Sequence, residues 1–278
     1  MPYHCRRRHA LTRFIHLTDL HISHPDANDP KDKGTSRAAL QRVVGIINAM
    51  DPQPEFVVAS GDLTNMGDEA SYGLVRDLLA PLKAPLVMAM GNHDLRAGFR
   101  AVFGGDEGDA PYFHDTLHGG LHVITLDTKV PERVAGAICE AQFAFLNEAL
   151  QRHADVPKLI VMHHPPRVDD AGLPWGTIDL DSTHRLAETL KGHDIAGILS
   201  GHIHINQIHH WHGIPICINS GLDYTIDLLE RRDLRLLEGT TMAICEHRAS
   251  GLSVSFVPLS PAQQDLGTID RARLLAFT

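Results

Sequence analysis

Arg13-Phe14-Ile15-His16-Leu17-Thr18-Asp19-Leu20-His21 runs from a short apolar stretch directly into two side chains of metal-ligating type. Arg13 to Leu17 has the length and composition of a buried strand, and Asp19 and His21 follow at its carboxyl end. The pattern returns along the chain. Phe56 to Ala59 leads into Gly61-Asp62, and Leu86 to Met90 into Gly91-Asn92-His93-Asp94. Lys158 to Met162 leads into His163-His164, and Ile195 to Leu199 into Gly201-His202-Ile203-His204. Leu121 to Leu126 and Pro215 to Ile218 are further runs of the same kind.

Between several of these runs lie helical patterns, over Ser36 to Met50, Asp68 to Leu79, Glu140 to Arg152 and Ser182 to Leu190. Strands alternating with helices argue for an α/β architecture in which helices cover the sheets. The chain then changes character: Thr241 to Glu246 and Leu252 to Pro258 read as a hairpin across Ala249 to Gly251. Leu95 to Gly120 and Arg167 to Asp181 read as long loops beside the motifs, the usual place for binding elements. One domain over residues 1–258 is expected, with 259–278 as a tail or an oligomer contact.

A chain of 278 residues with 43% hydrophobic content can bury one sizeable core. The net charge of −9 argues against a nucleic-acid polymer as partner, because such binding rests on neutralising many phosphates. A small anion is compatible with it, since bound cations dominate a local field. Cys5, Cys139, Cys217 and Cys245 form no CxxC pair, so neither a zinc knuckle nor a disulfide framework is expected. The basic start Arg6 to Arg8 is not followed by a signal-peptide pattern, and no run approaches the ~20 apolar residues of a membrane span. A cytoplasmic protein without a membrane partner is expected. Histidine is the compositional anomaly, with 20 residues against 34 acids, and imidazole is a common transition-metal ligand.

Each motif alone has an ordinary explanation: a Gly-Asp after a strand is usually a turn, and His before Pro is often a plain strand end. Their joint occurrence at successive strand ends is what points to a metal site. The crevice beyond the carboxyl ends of α/β strands is where groups from different strands meet.

Asp19-Leu20-His21, Gly61-Asp62, Gly91-Asn92-His93-Asp94, His163 and Gly201-His202-Ile203-His204 together resemble the calcineurin-like metallophosphoesterase family, over the first three quarters of the chain. Leu126-Asp127-Thr128 with Val130-Pro131, Gly136 and Gln142 is most similar to its class III cyclic nucleotide phosphodiesterases and glycerophosphodiesterases. The resemblance implies a four-layer αββα sandwich of two mixed sheets flanked by helices. It also implies two metal ions (Mn, Fe, Zn or Co), one held by Asp19, His21, Asp62 and His204, the other by Asp62, Asn92, His163 and His202. A bridging hydroxide would then hydrolyse a small phosphodiester such as cAMP or a glycerophosphodiester, with His93 as acid or hydrogen-bond donor and the protein as a homo-oligomer. Two cations roughly 3.5 to 4 Å apart suit that chemistry because they neutralise the diester's charge and align the attacking and leaving oxygens.

Asn65 is a departure: at that position phosphatases and many diesterases of the family carry an Asp, and a carbonyl would have to orient His93 instead. No Arg follows it, which tilts the substrate toward diesters, because a bidentate Arg suits a dianionic monoester. Arg96, Arg100 and Arg167 are possible substitutes. Asp94 and His164 are expected to support the site from behind. Phe99, Phe103, Tyr112 and Phe113 are candidates for stacking on a base, with core anchoring as their ordinary role. A phosphomonoesterase and a non-catalytic scaffold are the competing functions. Ile226 to Leu229 and Leu274 to Phe277 are candidate oligomer contacts, with core packing as their ordinary role.

Overall fold

The computed structural model describes residues 11–30, 32, 35–105, 108–169, 174–230 and 232–259. The basic start Arg6 to Arg8, the segment 260–278 and the candidate contact Leu274 to Phe277 lie outside the described residues.

The strands are β1 (Thr12–Leu17), β2 (Phe56–Ala59), β3 (Leu86–Met88), β4 (His114–His118), β5 (Leu121–Leu126), β6 (Lys158–Met162), β7 (Ile195–Ser200), β8 (Gln207–Trp211), β9 (Ile214–Ile218), β10 (Thr225–Ile226), β11 (Leu236–Leu237), β12 (Thr241–Arg248) and β13 (Gly251–Pro258). The helices are α1 (Thr35–Ala49), α2 (Glu69–Leu79), α3 (Arg96–Phe103), α4 (Glu140–Gln151) and α5 (Leu180–Leu190). One large sheet has the order β13-β12-β1-β2-β3 and the other β4-β5-β6-β7-β9-β8, and β10 pairs with β11 in a separate two-stranded ribbon. β1, β2 and β3 are parallel, as are β5, β6, β7 and β9, while β12, β13, β4 and β8 pair antiparallel with their neighbours.

Alternation along each strand assigns the layers. Ile15, Leu17, Val57 and Ala59 face α1 and α2, where they meet Leu40, Val43, Ile47, Tyr72 and Val75. Phe14, Phe56 and Val58 point the other way, into a core shared with Val123, Leu159, Val161 and Leu199 of the second sheet. Ile124, Leu126, Ile160, Met162 and Ile198 face Phe143, Leu146, Leu186 and Leu190 on α4 and α5. The result is a four-layer helix–sheet–sheet–helix sandwich. Because the central strands are buried on both faces, they read as continuous apolar runs in the sequence.

The expected hairpin is present as β12 and β13, paired from Thr241 with Pro258 to Arg248 with Gly251. The stretch Leu95 to Gly120, expected as a loop, instead contains α3 and β4. α3 is a short helix that buries Phe99, and β4 is a half-buried edge strand, so neither leaves a long periodic signal. In the second expected loop α5 begins at Leu180, capped by the Asp179 side chain accepting from the Ser182 N–H at 2.7 Å. β8 was not foreseen; its two exposed residues, Ile208 and His210, interrupt the apolar run. Ordinary core packing does not account for Leu228 and Leu229, which are 68% and 89% exposed. No described helix is long and apolar enough to cross a membrane.

One buried ion pair ties α3 to the second sheet. Arg96 Nε donates to Asp127 Oδ2 at 2.7 Å, and the same carboxylate accepts from the N–H groups of Tyr112 at 2.8 Å and Lys129 at 3.0 Å. The Gln142 side chain brackets the Asp127 backbone, accepting from its N–H at 2.8 Å and donating to its carbonyl at 2.7 Å. Asp127→Ala leaves a buried guanidinium and two amides without their acceptor. We expect it to destabilise the protein by about 3–5 kcal/mol in chemical denaturation; a change below about 1 kcal/mol would contradict this role.

Candidate metal centre

The parallel strands β1, β2 and β3 end side by side, and so do β6 and β7 in the second sheet. Asp19, His21, Asp62, Asn92, His93, His163, His202 and His204 therefore emerge at one end of the sandwich. Ligand atoms of Asp19, His21 and His204 lie within 4.8 Å of one another, as do those of Asp19, Asp62 and His163. His163 Nε2 is 3.1 Å and His21 Nε2 3.6 Å from Asp62 Oδ2; His204 Nε2 is 3.3 Å from Asp19 Oδ1. These groups are almost entirely buried.

The backbone is bent to achieve this. Asp19, His21, Asp62, His202 and His204 all have φ between 44° and 73°, the left-handed region that residues with a Cβ rarely adopt. Gly91 and Gly201 permit the close approach that follows: a Cβ on Gly91 would collide with the Asp62 carboxylate, and one on Gly201 with Thr18 and Asp19.

Each imidazole is held by its outward nitrogen. His163 Nδ1 faces the Ser60 carbonyl at 3.1 Å, His204 Nδ1 the Tyr224 carbonyl at 3.1 Å, and His202 Nε2 the Trp175 carbonyl at 2.8 Å. His21 Nδ1 lies 3.2 Å from Asn65 Oδ1. Donation to these oxygens leaves the inward nitrogen free to act as a ligand, the usual arrangement around a metal-bound histidine. Asn92 Oδ1 is buried with no hydrogen-bond partner. An orphaned carbonyl oxygen among oxygen and imidazole donors fits a divalent cation such as Mn, Fe, Zn or Co.

Electrostatics binds the set together. Burial alone would push His21 and His163 down, but the facing carboxylates of Asp19 and Asp62 win and raise both to about 9. Burial opposes charge on Asp19 and Asp62 as well, yet the surrounding imidazoles hold both carboxyls below the usual range. Burial, with His163 beside it, pushes His202 down to about 4, and burial also lowers His204.

The supporting residues differ in part from expectation. The Asn65 side chain orients His21 rather than His93, and its Nδ2 donates to Asp29 Oδ2 at 2.5 Å. The backbone carbonyl of Asn65 is what faces His93 Nδ1, at 3.0 Å. Asp94 accepts from the N–H groups of Leu63, Thr64 and Gly91 and from the Tyr72 hydroxyl, locking the two motif loops together. His164 has both nitrogens occupied, by the Thr128 hydroxyl at 2.7 Å and the Val134 carbonyl at 2.8 Å, and its ring lies 4.2 Å from that of His202.

A cavity of about 720 Å³ opens beside the cluster, lined by His21, Ser36, Asn65, His93, Asp223 and Tyr224 among others. The loop aromatics are not part of its lining: Phe99 packs against Tyr72, Phe103 and Tyr112, and Phe113 against Phe145. None of Arg96, Arg100 and Arg167 lines it either. Tyr224, which sequence reasoning missed, stacks on His204 with centroids 3.9 Å apart and planes 2° from parallel. Nothing in its local sequence marks it, because its place depends on the turn that carries its carbonyl to His204.

The calcineurin-like phosphoesterase family profile matches residues 12–206. A cAMP/cGMP dual specificity phosphodiesterase of Mycobacterium tuberculosis is 34% identical over 77% of this chain and 68% of its own. A glycerophosphodiester phosphodiesterase of Enterobacter lignolyticus is 29% identical over 58% of this chain and 60% of its own. Among solved structures, a dimetal phosphatase from Danio rerio superposes with a TM-score of 0.61 at 14% identity, covering 90% of this chain and 98% of that one.

With His21 and His163 holding protons up to about pH 9, a cation must displace them at neutral pH. Calorimetry at pH 7.5 in buffers of different ionisation heat is expected to register about two protons released at saturation with Mn²⁺. The apparent affinity should fall about tenfold per displaced proton for each pH unit lowered, and level off above about 9. Affinity independent of pH between 6 and 9 would contradict the charge balance described.

Proposed function

The chain belongs to the calcineurin-like phosphoesterase family, and on that premise we propose that it is a two-metal phosphodiesterase acting on small diesters, a cyclic nucleotide such as cAMP or a glycerophosphodiester. The observation that carries this reading is the buried, unpartnered Asn92 Oδ1 set among two carboxylates and four imidazoles whose outer nitrogens are already engaged. In this proposal Asp19, His21, Asp62 and His204 hold one cation, and Asp62, Asn92, His163 and His202 hold the other. Bound there, the pair supplies the positive charge that lowers the pKa of water and draws off the diester's negative charge.

The protein's own groups do the rest. Asp62 is fixed by the His93 N–H, which donates to its Oδ1 at 2.9 Å. His93 lines the cavity with its Nδ1–H donating to the Asn65 carbonyl, so that as an imidazolium it presents Nε2–H to the leaving oxygen and returns to the neutral ring once that proton is given up. Tyr224 gives the cavity an aromatic wall next to His204. Asn65 stands where an Arg-bearing phosphatase site would begin, and its amide is spent on His21 and Asp29. That supports diesters over monoesters, as do the relatives that act on cyclic nucleotides and glycerophosphodiesters. The exposed Leu228 and Leu229 support an oligomer, which light scattering would test.

Turnover of bis(p-nitrophenyl) phosphate beside p-nitrophenyl phosphate, after chelation and Mn²⁺ reloading, is the decisive assay. The diester should be hydrolysed with at least a tenfold higher kcat/KM, and chelation should abolish both activities. Cyclic AMP and glycerophosphoethanolamine under the same conditions rank the two diester classes. Dominant monoester turnover would replace this reading with a phosphomonoesterase, and no turnover with any divalent metal would replace it with a scaffold. His93→Ala is expected to lower kcat by about 10²–10⁴ while metal content is unchanged.

A further inference from the structure

We infer that Lys129, which no part of the metal-site motif includes, is a positioning residue that clamps the Asn92–His93 peptide against Asp62. The inference rests on the metal-centre reading above. Lys129 follows β5, and its Nζ donates to the Asn92 backbone carbonyl at 2.6 Å. The opposite edge of that same peptide unit is the His93 N–H, which donates to Asp62 Oδ1 at 2.9 Å. One rigid amide plane is thus held at both ends, by an ammonium at its oxygen and a carboxylate at its hydrogen.

Two consequences follow from elementary electrostatics. A cation on the oxygen of an amide polarises it and strengthens its N–H as a donor, so part of the lysine's charge is felt at Asp62 through the peptide. The plane also carries two functional side chains in succession, the orphaned Asn92 carbonyl and the proton-donating His93. Fixing it sets the direction of both.

Lys129 is itself held rigidly. Its N–H donates to Asp127 Oδ1 at 3.0 Å, and its carbonyl accepts from Arg96 Nη2 at 2.9 Å. The buried Asp127–Arg96 pair therefore acts on the metal centre at one remove, by holding the backbone from which the ammonium reaches. The side chain is half-buried, so its hydrogen bond is less exposed to competing water than one on an open surface.

The test compares the parent chain with Lys129→Met, of similar reach but without charge, and Lys129→Arg, which retains it. The readouts are the metal-free melting temperature, calorimetric Mn²⁺ binding, and kcat and KM for bis(p-nitrophenyl) phosphate. Lys129→Met is expected to melt within a few degrees of the parent, to bind one Mn²⁺ equivalent about 10–100-fold more weakly, and to lose a comparable factor in kcat with KM nearly unchanged. Lys129→Arg should recover most of both losses, which a residue that only fills space would not require. Unchanged Mn²⁺ binding and kcat in Lys129→Met overturns the inference while leaving the phosphodiesterase reading in place. If Lys129→Met does not fold, Lys129→Arg decides against Lys129→Gln, and equal behaviour of those two overturns the role of the charge. A parent chain that takes up no Mn²⁺ overturns the metal centre and this inference together.

Discussion

Two carboxylates, Asp19 and Asp62, are buried almost completely at the end of the sandwich, 0% and 2% exposed. Placing two negative charges in so dry a site is unfavourable by several kcal/mol per ion unless positive charge stands beside them. The surrounding arrangement follows from that requirement. Imidazoles converge on the pair, peptide N–H groups of His93 and His202 point at it, and left-handed backbone conformations are accepted to bring the ligand atoms within reach. Such conformations persist where the surrounding structure over-determines them, and Gly91 and Gly201 leave the room that the close approach needs.

The two sheets contribute unequally. The first supplies Asp19, His21, Asp62, Asn92 and His93, and the second supplies His163, His202 and His204. The centre is therefore an interface, and its geometry is only as fixed as the core between the sheets, where Phe14 and Phe56 stack at 4.7 Å against the apolar faces of β5, β6 and β7. Hydrogen bonds cross the same boundary close to the ligands: His163 Nδ1 reaches the Ser60 carbonyl, and the His202 N–H donates to Asp19.

Legibility in the sequence follows the range of the interaction. β2, β5 and β6 could be read to the residue because a strand buried on both faces is a continuous apolar run, and the ligand motifs could be read because they sit at the ends of those runs. α3, β4 and β8 were missed because they are short and only partly buried. Of the two roles open to Phe99 and Tyr112, the structure shows core anchoring: both face Tyr72 or one another in a helix-side core that only the folded chain creates. Tyr224 and Lys129 were invisible for a related reason. Their importance lies in one through-space contact each, to His204 and to the Asn92 carbonyl, and neither contact has a spacing in the sequence.

Asn65 shows how side chain and backbone can divide a task. An aspartate at this position would offer a charged partner to a histidine ring; here the side-chain oxygen goes to His21 and the main-chain carbonyl to His93. A peptide carbonyl fixes the direction of the His93 ring as well as a carboxylate would, but it carries no net charge to stabilise an imidazolium. With Nδ1–H donating to that carbonyl, Nε2 can donate toward the cavity only in the imidazolium form, so this contact fixes the direction of the ring without balancing that charge. Replacing Asn65 by Asp would not simply restore a family pattern, because it would set a second carboxylate against Asp29 where the present amide donates to Asp29 and accepts from His21.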